Sequence, residues 1–194
     1  MPIVRYAIAD DAPLHRRMIA MTIAGIGRTT MGLEFQMVKE AADGKELVDW
    51  LAGLAPAERP NLVTLDIRMP VMDGLTALFH IRRRLGLHIP LCMCSSEDQA
   101  NIDRHLAETA PPQVKAMSHA DKLANLAKIE ARLLAGQIEA GKINDLLTGC
   151  ERLCMDPKVY ARHLGANGFL HKPYTPEMAR AVIPEVLNGK TFAA

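Results

Sequence analysis

The chain is punctuated by short apolar runs that stop on carboxylates. Residues 4–9 run straight into Asp10-Asp11, and residues 61–65 run into Asp66. An apolar run of this length bounded by polar residues is the pattern of a buried strand entering a loop. Two further runs, a weaker one at 35–38 and another at 89–94, read the same way. Between them lie stretches of helical pattern. One opens at 11–13 and closes at Gly25 and Gly27; a second covers 45–54 with Leu47, Val48 and Leu51 on one face; a third follows Asp73-Gly74 to about residue 85. Strand and helix alternate four times, which implies a parallel sheet covered on both faces.

The alternation then stops. From 101 to 159 there is no convincing strand, only helical pattern broken at Pro111-Pro112. Leu123, Leu126, Ile129, Leu133 and Leu134 step by threes and fours, as one buried stripe requires. Ile138, Ile143, Leu146 and Leu147 continue the pattern. A short helix at 160–164, a turn at 165–168, a strand at 169–170 and a helix at 175–187 restore the alternation. The expected architecture is a five-stranded α/β domain, residues 1–100 and 159–194, with a helical insertion at 101–158 before the fifth strand.

Composition narrows the function. Hydrophobic residues make up 49% of the 194 and charged ones 23%, enough for a proper core. Lys plus Arg is 23 against 22 for Asp plus Glu, so no bulk attraction to nucleic acid is expected. Arg82-Arg83-Arg84 reads as a solvated helix end, where cations complement the dipole. No apolar run is long enough to span a membrane, and the N-terminus carries no leader, so a cytoplasmic protein is expected. The four cysteines read as reduced apolar side chains. A zinc site through Cys150 and Cys154 lacks two ligands at a recognised spacing.

In parallel sheets functional groups gather where the carboxyl ends of the strands splay apart. Here those ends carry Asp10 and Asp11, Asp66, Ser95 and Ser96, and Lys172. Three converging carboxylates repel one another unless a cation joins them. A hard divalent ion such as Mg²⁺ suits oxygen ligands and leaves positions for phosphate oxygens. With a hydroxyl and an ammonium at the same point, the arrangement suits phosphoryl transfer to or from a carboxylate.

The segments Ala9-Asp10-Asp11, Leu65-Asp66-Ile67-Arg68-Met69-Pro70-Val71-Met72-Asp73-Gly74 and Phe169-Leu170-His171-Lys172-Pro173 resemble the CheY-like receiver domain of bacterial two-component response regulators. The resemblance covers about residues 3–100 and 159–190. It implies a flavodoxin-like, doubly wound parallel sheet. By the same resemblance Asp66 is the phosphoacceptor, Asp11 a direct Mg²⁺ ligand, Asp10 a ligand through water, and the Arg68 carbonyl a further ligand; Mn²⁺ is the expected substitute. Ser95 takes the place of the switch hydroxyl, Lys172 of the phosphate-pairing ammonium and Phe169 of the switch aromatic. A cis Lys172-Pro173 bond is also implied. Arg68 and Glu97 flank the path of the attacking water, and a pair between them is expected to slow dephosphorylation.

The implied partners are a histidine kinase or histidine phosphotransfer protein and a downstream protein target. The chain departs from the family between Ser95 and Gly165, where the usual short loop and single helix are replaced by the long insertion, read here as the output or partner-recognition surface, with a passive helical elaboration packed on the domain as the alternative. No output domain follows, so a stand-alone receiver is expected, with a phosphate sink or shuttle as the alternative. A metal-dependent phosphohydrolase using an aspartyl phosphate is disfavoured, because Arg68 stands where such enzymes place a second Asp. His105, His119 and His163 are read as ordinary surface or hydrogen-bonded residues.

Overall fold

The structure is a computed structural model and describes residues 2–96, 110–136 and 146–189. In chain order it comprises β1 (Ile3–Ala9), α1 (Pro13–Ile26), β2 (Glu34–Ala41), α2 (Gly44–Ala52), β3 (Leu62–Asp66), α3 (Gly74–Phe79) and β4 (Leu91–Ser95). These are followed by α4 (Pro112–Lys115), α5 (His119–Leu134), α6 (Leu146–Arg152), α7 (Pro157–His163), β5 (Gly168–His171) and α8 (Pro176–Leu187). The strands form one parallel sheet in the order β2-β1-β3-β4-β5. The doubly wound five-stranded sheet is as expected, and inserted helices lie between β4 and β5.

The period of two along each strand divides the core into two. Ala7, Ala9, Val63, Leu65, Leu91 and Met93 point to the face covered by α2 and α3. Tyr6, Ile8, Leu62, Cys92, Cys94 and Leu170 point to the face covered by α1 and α8. Helix starts are set by side chains that accept backbone N–H groups left over in the first turn. Asp43, Asp73, Ser118 and Thr175 do so for α2, α3, α5 and α8.

Two helices run on into π-helical turns, Gly27–Met31 after α1 and His80–Arg84 after α3. The second overturns one expectation. Arg83 and Arg84 are exposed, but Arg82 is buried and donates to the carbonyls of Leu87 (2.7 Å), Ile89 (2.9 Å) and Gly165 (3.1 Å) and to Asn167 Oδ1 (3.1 Å). Burial pushes its guanidinium down to about 10. Arg82 is therefore a structural tie to the start of β4 and the turn before β5, not part of a solvated face.

The inserted helices join the α2–α3 core. Leu126, Leu133, Leu146, Leu147 and Cys150 belong to the same apolar cluster as Leu75 and Phe79. α5 and α6 meet closely at Gly149, where an added Cβ would lie 2.7 Å from Ile129 Cδ1 and 3.0 Å from Leu126 Cδ2. The Tyr160 hydroxyl of α7 donates to Glu130 Oε1 of α5 at 2.5 Å. All four thiols are free, three of them buried. Ile138, Ile143 and His105 lie outside the described residues; His163 is exposed and stacked on Tyr160.

Candidate functional site

Strand register assembles the site. Ala9 of β1 pairs with Leu65 of β3, so the next residues, Asp10 and Asp66, emerge side by side. Asp66 pairs with Cys94 of β4, and Ser95 pairs with His171 of β5, which brings Lys172 to the same edge. The Lys172 amide donates to the Ser95 carbonyl at 2.6 Å, and the Lys172-Pro173 bond is cis. Oxygens of Asp10, Asp11 and Asp66 all lie within 4.8 Å of one another, with Asp11 exposed and the other two buried. Lys172 Nζ lies between the buried pair, 2.6 Å from Asp10 Oδ2 and 3.0 Å from Asp66 Oδ1.

The loop after Asp66 folds back tightly. The Gly74 amide donates to the Ile67 carbonyl at 2.8 Å, and a Cβ on Gly74 would fall 2.0 Å from the Asp66 carbonyl oxygen. Only glycine fits there. Val71, at the turn of this loop, holds a φ of 64°, an uncommon left-handed backbone for a β-branched residue.

Burial pushes the Asp66 carboxyl above its ordinary range; the Lys172 ammonium opposes the shift without cancelling it, and Asp10 adds to it. For Lys172, burial alone would lower the ammonium, but the bonds to Asp10 and Asp66 outweigh it and raise it. Three carboxylates against one ammonium leave the cluster short of positive charge, which is the condition a hard dication relieves. Asp10 Oδ1 already accepts from the Ala12 amide at 2.9 Å and Oδ2 from Lys172. The more open oxygens belong to Asp11. The donor set is all oxygen and so fits Mg²⁺ or Mn²⁺.

Ser95 is buried at the end of β4. Phe169 is half-buried, with Lys158 Nζ 5.3 Å from its ring centroid. Arg68 is exposed, and its Nη1 lies 2.9 Å from Glu151 Oε1 of α6. Glu97 lies outside the described residues.

A profile of the response regulator receiver domain matches residues 7–132. The chain belongs to the receiver family. The match ends inside α5, so β5 and Lys172 enter the site through the fold. The chemotaxis protein CheY of Bacillus subtilis is 35% identical over 98 residues, half of this chain and 72% of that protein. A protein-glutamate methylesterase/protein-glutamine glutaminase of Pseudomonas fluorescens is 32% identical over 93 residues, 48% of this chain. The chain spans about a fifth of the length of such methylesterase relatives, 22% for this one.

Solved receivers share the fold. The NarL receiver domain of Mycobacterium tuberculosis superposes with a TM-score of 0.56 at 19% identity, over 98% of this chain and 100% of that one. Vibrio cholerae CheY4 gives 0.52 at 19% identity, over 95% and 98%. Receiver domains are signalling proteins that take a phosphoryl group from histidine kinases or phosphotransfer proteins and bind Mg²⁺ through an acidic pocket. No helix among the described residues is long and apolar enough to cross a membrane.

Four neighbours of the site escaped the sequence reading. His15, one helical turn past Asp11, brings Nδ1 to 3.5 Å from both Asp10 Oδ1 and Lys172 Nζ. Tyr174, held neutral by burial first and then by nearby Cys94, Asp10 and Asp66, lines a cleft of about 350 Å³ with Leu14, Met18 and Pro173. The i+4 spacing from Asp11 could have flagged His15. Thr76 bonds Asp73 three residues before it, a capping spacing that could have flagged it, whereas Glu151 reaches the loop after Asp66 through a contact distant in sequence that no local pattern marks.

Proposed function

We propose that the chain is a phosphorylation-controlled switch in which Asp66 accepts a phosphoryl group from a histidine kinase or histidine phosphotransfer protein. The observation that carries this reading is the buried Asp66 carboxylate within 4.8 Å of two further carboxylates, with an ammonium 3.0 Å away. An Asp66 oxygen bonds to phosphorus as the phosphorus–nitrogen bond to the donor histidine breaks, and in-line positioning makes this weak nucleophile competent. Lys172, already between Asp10 and Asp66, neutralises charge on the equatorial oxygens.

Asp11 and Asp66 would be the direct carboxylate ligands for Mg²⁺, Asp10 would act through water, and the Arg68 carbonyl would complete the protein's share. Bound there, the dication supplies further neutralisation of phosphoryl oxygens. That both Asp10 oxygens already accept protein hydrogen bonds supports its role through water. The Ser95 hydroxyl donates to a phosphoryl oxygen, and Phe169 turns inward as Ser95 moves, exchanging its contact with Lys158. The insertion, residues 101–158, supplies the surface whose partner binding changes; the packing of its described helices α5 and α6 in the same cluster as α3, which starts at the end of the Asp66 loop, supports that reading.

Intact mass after incubation with acetyl phosphate and Mg²⁺ tests the assignment. A single Mg²⁺-dependent phosphoryl adduct is expected in the wild type and none in Asp66→Asn, which removes the nucleophile and one charge of a mutually repelling set while keeping the shape. An equal adduct in the folded variant would remove Asp66 from the acceptor role.

A further inference from the structure

We propose that Glu151, carried by the inserted helix α6, is a positioning residue for Arg68 and so governs how long a phosphoryl group on Asp66 survives. The inference rests on the reading of Asp66 as acceptor. Arg68 stands two residues past Asp66 on the exposed loop, and its guanidinium meets Glu151 at 2.9 Å. The two residues come together only because α6 is docked beside that loop.

The docking is specific at the start of the helix and along its back. At its start the Leu146 amide donates to Thr76 Oγ1 at 3.0 Å. Thr76 in turn donates from Oγ1 to Asp73 Oδ2 at 2.7 Å, and the Thr76 amide donates to Asp73 Oδ1 at 2.9 Å. Asp73 is the residue that caps α3 and closes the loop leaving Asp66. Behind the helix, Leu126 and Ile129 of α5 press on Gly149, and Leu146, Leu147 and Cys150 are buried between. A carboxylate on so constrained a helix is a fixed anchor, whereas one on a mobile loop would follow the arginine wherever it moved.

Hydrolysis of the aspartyl phosphate needs a water to reach phosphorus on the side away from the Asp66 oxygen. The water oxygen bonds to phosphorus, and the bond from phosphorus to the Asp66 oxygen breaks with its electrons returning to the carboxylate. Both water protons leave with the phosphate as the dihydrogen ion. The approach is from the solvent side of the site, which the exposed loop carrying Arg68, two residues past the acceptor, borders. An arginine tethered there obstructs the approach more than one free to sweep through solvent. Both partners are about half exposed, 51% and 45%, so the tether is modest and its kinetic effect is a few-fold.

The experiment uses the full chain, phosphorylated with acetyl phosphate and Mg²⁺ and freed of donor, with decay of the adduct followed by intact mass. Glu151→Gln is expected to speed decay about threefold. Glu151→Asp should restore much of the wild-type lifetime. Arg68→Ala should speed decay at least as much, and Arg68→Ala with Glu151→Gln no further than Arg68→Ala alone, because the glutamate acts through the arginine. Unchanged decay in Glu151→Gln, or two effects that multiply in the double variant, would overturn the inference while leaving Asp66 as acceptor. Absence of any Asp66-dependent adduct in the wild type would overturn both.

Discussion

On one face of the sheet, Ile19, Ile23 and Ile26 of α1 meet Ala179, Ile183 and Val186 of α8 in a single helical layer. On the other, Leu75, Leu78 and Phe79 of α3 share a cluster with Leu126 and Leu133 of α5 and with Leu146, Leu147 and Cys150 of α6, so helices stand behind helices. Both layers rest on the same five strands, yet the thickening is confined to one side. The pleat explains why: neighbouring strand residues face opposite ways, so a segment inserted into one connection adds to one core without repacking the other. The thickened side is also the side on which α3 follows the Asp66 loop. An insertion there touches the loop that leaves Asp66, whereas the same helices on the α1–α8 face would have missed it.

Paired substitutions probe this asymmetry. Gly74→Ala, at the start of α3, sets a Cβ 2.0 Å from the Asp66 carbonyl oxygen and should cost at least about 4 kcal/mol in urea denaturation. Gly25→Ala in α1 meets nothing within 4 Å and should be neutral or stabilise by about 0.5–1 kcal/mol. Equal effects would remove the contrast between the faces at the level of the backbone. Next in size, Leu126→Ala empties a fully buried position in the inserted layer and should cost about 3 kcal/mol within one cooperative transition. Ile183→Ala, buried opposite, should cost a similar amount. An early separate transition in Leu126→Ala would mean that the insertion folds on its own rather than in the shared core.

The smallest effect concerns acid. His80 is buried beside Phe79, and neither ring nitrogen finds a hydrogen-bond partner among the described residues. Burial, helped by Arg84, holds its pKa below the ordinary value. The unfolded chain therefore takes up the proton first. His80 lowers stability as pH falls below about 6.5, by at most about 1.4 kcal/mol per pH unit, and has no such effect above it. His80→Leu should lose that part of the pH dependence when denaturation at about pH 7.5 and pH 5.5 is compared. An unchanged pH dependence would place the acid sensitivity elsewhere.

Much of this was legible in the sequence, for physical reasons that differ by residue. Asp10, Asp66, Ser95 and Lys172 were readable because parallel strands end in register, so chemistry at several strand ends must converge. Leu126 and Leu133 were readable because one buried stripe imposes a helical period. Arg82 was not, although it lies seven, four and three residues past Leu75, Leu78 and Phe79 on the stripe this helix buries: three successive arginines at a helix end look like one solvated group, which hides the single member that faces inward. Nor was Glu151, since nothing local to α6 records that its carboxylate will face Arg68. Periodicity reports what an element buries; it is silent on which distant side chain an exposed charge will meet.

The connection between β4 and β5 also bears on the order in which the site comes into being. Asp10 and Asp66 stand together once β1 and β3 have paired, which needs only the first third of the chain. Lys172 arrives after a connection running from residue 96 to residue 167. Closing so long a loop is not costly in itself, since each doubling of length adds only about 0.6 kcal/mol. It does fix the order in which the parts of the site are made, since synthesis runs from the N-terminus. An emerging chain thus carries both buried carboxylates well before it carries their ammonium, and the site gains that counter-charge only when β5 joins the sheet.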